Sequence, residues 1–122
     1  MDIAIDKFGD VTVVVLPVEE LDASNAEELK RDIAPLLATN PRLVLDLSRL
    51  RFVDSSGLGA FLSCLRKLNA KGGDLKLAGL AKPVRAIFEL VRLHRVFDIY
   101  DTTAEAVSAF APRELVREST AT

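Results

Sequence analysis

Asp54, Ser55 and Ser56 stand in a row near the middle of the chain and run directly into Gly57-Leu58-Gly59. Two hydroxyls beside a carboxylate can cap a helix, form a nucleophile with its orienting acid, or be a substrate for another protein's chemistry. Ahead of them lie the apolar run Leu43-Val44-Leu45-Asp46-Leu47 and then Phe52-Val53. Behind them Leu58, Phe61, Leu62, Leu65 and Leu68 recur at helical spacing. The group therefore marks a junction where a strand hands over to a helix. The first turn of a helix offers backbone N–H groups with no partner and a partial positive charge. As structure alone, Ser55 and Ser56 read as caps of that helix, with Asp54 capping it as well or orienting the adjacent hydroxyl. Gly57 and Gly59 are expected to leave the backbone open to close approach by another protein.

The rest of the chain supplies little for catalysis. His94 is the only histidine, and Leu93, Arg95 and Val96 around it read as a loop after a helix, so a Ser-His-Asp system is not expected. One histidine and one cysteine are too few for a zinc site, and no cofactor is expected. Neither a Walker-type phosphate loop nor a Gly-x-Gly-x-x-Gly fingerprint is present. Cys64 sits beside Phe61, Leu62 and Leu65 and reads as packing. Asp46 interrupts an apolar strand, a costly place for a charge, and is expected to tie down a neighbouring loop through backbone N–H groups. Asp22 reads either as a turn former or as a partner for a nearby helix start or another protein. This chain is not expected to be an enzyme.

A serine that does no chemistry of its own can still receive it. A phosphate at the junction brings about −1.5 to −2 charges next to Asp54. The helix N-terminus offsets part of that charge in the free domain. A partner surface shaped for the neutral form has no such relief, so the modification changes binding more than folding.

The elements that must position this junction follow from pattern. With 122 residues the chain is one domain of ordinary size. The formal net charge of −2, with both signs mixed along the sequence, gives no footprint for direct nucleic-acid binding. The single cysteine fits a reducing compartment, the start of the chain lacks signal-peptide character, and no apolar run approaches a membrane span. Together these read as a cytoplasmic protein without membrane insertion. Ile3 and Ile5 alternate with polar residues as a half-buried strand, and residues 11–16 form a β-branched run buried on both faces. Phe8-Gly9-Asp10 joins them as a hairpin. Ser24 or Asn25 is expected to cap a helix through Ala26, Leu29, Ile33, Leu36 and Leu37, kinked or ended early by Pro35. Residues 42–47 form a strand, the helix after Asp54 runs to about Ala70, and Lys71-Gly72-Gly73 stops it. Leu75, Leu77 and Leu80 mark a further strand, and Pro83 starts a helix burying Val84, Ile87, Phe88 and Val91. Residues 96–100 form a short strand, Thr102 or Thr103 caps a last helix through Ala106, Val107 and Phe110, and Pro112 stops it. Residues 113–122 read as a loose, mostly polar tail, leaving 1–112 as the domain. Alternation after a leading hairpin implies an α/β domain: a mixed, mostly parallel sheet of about four to five strands with about four helices. No strong coiled-coil pattern appears, so a monomer or weak dimer is expected.

The residues Val44-Leu45-Asp46-Leu47-Ser48, the stretch Phe52-Val53-Asp54-Ser55-Ser56-Gly57-Leu58-Gly59, and Leu21-Asp22 ahead of the first helix resemble the STAS domains. Among these the chain is most similar to bacterial anti-sigma factor antagonists, in element order from about Ile3 to Phe110. The resemblance implies a STAS fold and phosphorylation of Ser55, the serine directly after the aspartate, by an anti-sigma factor that is itself a serine kinase. Ser56 falls at the next position, which varies between Ser and Thr. It further implies partner switching. The dephosphorylated protein binds the kinase and frees the sigma factor, phosphorylation at Ser55 ends that binding, and a PP2C-type phosphatase restores it. The partner surface would comprise Asp22, Asp54, Ser55, Ser56, Gly57, Leu58 and Gly59. One departure stands out: the glycine usual just before the Leu-Asp pair is absent, with Pro17-Val18-Glu19-Glu20 in its place. A second reading of the resemblance is a non-switching STAS subunit of a lipid-transport complex or signalling scaffold.

Overall fold

The computed structural model describes residues 1–110. Its β-branched run, Val11–Val15 (β2), is almost wholly buried and pairs antiparallel with Ala4–Phe8 (β1) through the turn at Gly9. Among the described residues only β2 pairs with β1, which makes β1 an edge strand there, and all its residues are exposed. The half-buried strand expected around Ile5 is thus corrected: Ile5 is 48% exposed. Glu20–Leu21 (β3) precedes the first helix, Ala26–Thr39 (α1), and Arg42–Asp46 (β4) follows it. Phe52–Val53 (β5) leads into Ser55–Ala70 (α2), and then come Asp74–Ala78 (β6), Lys82–Leu90 (α3), Asp98–Tyr100 (β7) and Thr103–Ala109 (α4). The main sheet has the order β1-β2-β4-β6-β7, with every pair after the hairpin parallel.

Parallel strands joined by helices must be covered on both faces, and the side-chain alternation divides the work. Leu43, Leu45, Leu75 and Leu77 face the larger core, where Leu29 and Ile33 of α1, Phe61 and Leu68 of α2, and Phe88 of α3 pack over them. Phe88 lies 6.2 Å from Phe61 and 5.9 Å from Phe97 between ring centroids, which joins α2, α3 and the approach to β7. Val11, Val13, Val44 and Ala78 face the other way, under Ala106 and Phe110 of the short α4. Lys76 shares that face, 6% exposed, its Nζ between the carboxylates of Asp74 and Asp98 and 4.7 Å from the Phe110 ring.

Several expectations are corrected. Pro35 neither kinks α1 into an early end nor stops it, because α1 runs to Thr39. Pro35 and Arg31, whose carbonyl loses its partner, are exposed, so water can satisfy that oxygen. Val91 lies beyond α3 and is 48% exposed rather than buried. The last strand is shorter than residues 96–100, with Val96 51% exposed. Thr102 caps α4, accepting from the Glu105 amide at 3.1 Å. Pro112 and the tail at 113–122 lie outside the described residues. Among the described residues no helix is long and apolar enough to cross a membrane.

Candidate functional site

The Asp54 junction is built on a second, two-stranded sheet that pattern did not reveal. β3 and β5 pair in parallel, Glu20 opposite Phe52 and Leu21 opposite Val53. The Glu19 carbonyl accepts from both the Arg51 and Phe52 amides, at 2.6 and 3.1 Å, and the Leu21 carbonyl accepts from the Asp54 amide at 3.2 Å. Leu21 and Val53 point into the core and anchor the ribbon there. Two-residue strands carry no periodicity, which is why the sequence conceals them.

Asp54 leaves β5 in extended conformation and caps α2, its Oδ1 accepting from the Gly57 amide at 3.0 Å. Its Oδ2 accepts from the Ala23 amide at 3.3 Å, so one carboxylate ties the Asp22 loop to the start of α2. The cap role expected of Ser55 and Ser56 therefore belongs to Asp54. The serines are the first two residues of the helix, both exposed. Serine hydroxyls that are not spent on a cap, at a helix N-terminus and open to solvent, are accessible to another protein's chemistry.

The glycines differ from expectation. Gly57 is buried, and a Cβ there would lie 2.6 Å from Val53 Cγ2 and 2.7 Å from the Leu21 carbonyl oxygen. It lets the first turn of α2 press against the ribbon rather than opening the backbone to a partner. Gly59 does lie on the surface, with open space where its Cβ would be. Leu58 is 8% exposed and belongs to the core.

The Asp22 loop is held from within. Asp22 Oδ1 accepts from both the amide and the hydroxyl of Ser24. These bonds hold the carboxyl below its ordinary value, the hydroxyl contributing most and the amide next. Asn25 occupies the cap position of α1 without capping it. Its side chain instead accepts from the Asp22 amide and donates to the Glu20 carbonyl, at 2.9 and 2.8 Å. The loop around Asp22 and the loop around Ser55 thus form one surface at the end of the sheet where the parallel strands finish, the usual place for sites in such sheets.

The remaining candidates fall elsewhere. Asp46 Oδ1 accepts from the Ser48 amide at 2.9 Å and closes the loop after β4, as its position in an apolar strand implied. Gly79, at φ 75°, leaves room there: its Cβ would come within 3.2 Å of Ser48 Cβ. His94 is exposed in the 3-10 turn Leu93–Arg95, which precedes β7 at the opposite end of the parallel strands from Ser55. Cys64 is 1% exposed, and burial pushes its thiol up to about 11, outweighing the opposing pull of Lys67 and Lys30.

Comparison with known proteins agrees with this architecture. The family profile described as STAS domain matches residues 2–106. BtrV of Bordetella bronchiseptica, named as a candidate anti-sigma factor antagonist, is 30% identical over 111 residues, covering 90% of this chain and 95% of its own. The anti-sigma-B factor antagonist of Bacillus subtilis is 29% identical over 100 residues, covering 81% of this chain and 92% of its own. A crystal structure of an anti-sigma factor antagonist from Mycobacterium paratuberculosis superposes with a TM-score of 0.79 at 28% identity, covering 88% of this chain and 92% of that one. This chain belongs to the STAS domain family.

Proposed function

We propose that this protein is an anti-sigma factor antagonist that acts by binding and is switched by phosphorylation at Ser55. The observation that carries the reading is the exposed Ser55 at the first position of α2, beside an Asp54 carboxylate that also holds the Asp22 loop. The names of the relatives support the antagonist role. In the neutral state the partner, an anti-sigma factor serine kinase, covers Asp22, Asp54, Ser55, Ser56 and Gly59, while Gly57 and Leu58 support that surface from below. A phosphate on Ser55 sits next to the Asp54 carboxylate and over the start of α2. The helix tolerates it, because the first-turn amides and dipole favour an anion. A partner pocket formed around a hydroxyl does not, because it would bury an unpaired charge against Asp54. A PP2C-type phosphatase resets the switch.

The test is incubation with the cognate kinase and ATP, followed by intact mass. Wild type gains one phosphate and Ser55→Ala gains none. Ser55→Asp keeps the wild-type circular dichroism and melting temperature but loses kinase binding by calorimetry. Wild-type affinity in Ser55→Asp overturns the switch. No phosphate on the wild type, together with co-purification with a transporter ATPase, moves the chain to the non-switching role in a larger assembly.

A further inference from the structure

The side of the sheet that β1 closes is bare among the described residues. All of β1 is exposed, and Phe8 at its end is 53% exposed. Register sets Phe8 opposite Val11, which belongs to the core under α4, so Phe8 faces α4 as well. A groove runs between the two. Phe8, Val11, Val107 and Phe110 line one part of it, about 430 Å³, and Phe8, Ala104, Val107 and Ser108 line the next, about 250 Å³. Phe8 and Val107 are common to both parts, which makes them continuous. An edge strand beside an apolar groove is the arrangement that takes up an added strand.

The chain itself arrives at this place. Phe110 leaves α4 in extended conformation, at φ −76° and ψ 122°, and lines the groove. Residues 111–122 continue from there, and Leu115 and Val116 are their only large apolar side chains. Pro112 has no amide with which to extend α4. Leu115 comes five residues after Phe110, a length of chain that reaches up to about 17 Å. The charges match as well. In an extended chain Arg113, Leu115 and Arg117 fall on one face, and Glu114 and Glu118 on the other. Asp6 lies two residues before Phe8 on the same face of β1, and Asp10, two after it, lines the groove. An antiparallel strand with Leu115 opposite Phe8 therefore brings Arg117 to Asp6 and Arg113 to Asp10, whose carboxylate also meets Arg42 at 3.4 Å.

We propose that residues 113–117 dock on this chain's own β1 as a sixth, antiparallel strand of the main sheet, with Leu115 seated in the groove against Phe8. Tethering decides between occupants. A segment joined to the groove's own lining acts at an effective concentration in the millimolar range, so one seated leucine, backbone pairing and two ion pairs can hold it. A separate protein has no such help and must meet the roughly 800 Å² per partner of a stable interface. A second copy laid edge to edge over the whole of β1 pairs Asp6 with Asp6.

Backbone order parameters of the full chain, together with nuclear Overhauser contacts, test the proposal. Residues 113–117 are expected near about 0.85, as in rigid backbone, with contacts between the Leu115 methyls and the Phe8 ring. Phe8→Ser drops the segment below about 0.6 and Asp6→Lys lowers it in part, both with unchanged circular dichroism. Asp6→Lys combined with Arg117→Asp restores the order, which a structural effect of either change alone does not do. Values below about 0.6 in the wild type overturn the proposal, as does order that survives both Phe8→Ser and Asp6→Lys unchanged. A charge exchange that restores nothing also overturns it. A dimer in sedimentation that Phe8→Ser dissolves overturns it in favour of a second copy.

Discussion

Asp54 gives one carboxylate oxygen to Gly57 and the other to Ala23, and that division places the Asp22 loop beside Ser55. Asp54→Ala removes a helix cap and is expected to cost about 1 kcal/mol in urea unfolding. Faster hydrogen exchange at the Ala23 amide is expected with it; unchanged exchange there would mean the two loops are not coupled through this side chain. The paired glycines make a sharper contrast. Gly57→Ala drives a methyl against the Leu21 carbonyl, which cannot move without the ribbon, and about 1–3 kcal/mol is expected to be lost. Gly59→Ala meets open space and is expected to gain roughly 0.5–1 kcal/mol in helix propensity. Thermal melts of the two variants should move in opposite directions. Asp22 provides the pH-dependent feature. Its folded pKa is depressed, so the loop's contribution to stability is full above the ordinary value of 3.8 and is lost as pH falls through the lowered one. Ser24→Ala removes the largest cause, and carboxyl carbon shifts should then show Asp22 titrating closer to 3.8.

Among the elements, α1 and the β3–β5 ribbon show where pattern reading stops. The apolar spacing of Leu29, Ile33 and Leu37 was legible, and all three are buried. Pro35 looked like a breaker because its ring forbids one hydrogen bond. The helix continues because that bond lies on the solvent side and the buried stripe holds both halves against the core. Pro35→Ala restores the bond while freeing the unfolded chain, and a net gain of about 1–2 kcal/mol is expected in denaturant melts. The strands β2, β4 and β6 were legible from their Val and Leu runs, and the ends of α2 from Asp54 and Gly72. The ribbon was not. Its four residues pair across 32 positions of sequence, and their meaning depends on a partner that local pattern cannot name.

At the scale of the molecule, a mostly parallel sheet lies, among the described residues, between three helices and one, with its charges managed differently on each face. Desolvation under α4 pulls the Lys76 pKa down, but hydrogen bonds to Asp98 and Asp74 together with the attraction of both carboxylates outweigh it, and the pKa is raised. Cys64 lies in the other layer, where burial outweighs the pull of Lys67 and Lys30 and pushes its thiol up to about 11. The whole domain therefore guards this thiol. Native protein at neutral pH is expected to resist aromatic disulfide reagents, with labelling that speeds up in urea in step with loss of circular dichroism. Rapid labelling without denaturant would show that the layer of α1 and α2 opens locally.

The sequence alone determined the class of fold, the order of its main elements and the place of the junction, because these rest on local spacing, capping chemistry and β-branched runs. Asp54-Ser55-Ser56 could be picked out as the chemical centre by residue type, with nothing competitive elsewhere in the chain. Tertiary structure decided the roles inside that centre. Pairing of β3 with β5 makes Gly57 a packing residue, gives the cap to Asp54, leaves Ser55 and Ser56 in solvent, and brings in Asp22 from 32 residues or more before the helix it faces. Those assignments depend on which backbone groups meet across long stretches of sequence, and only a folded chain settles that.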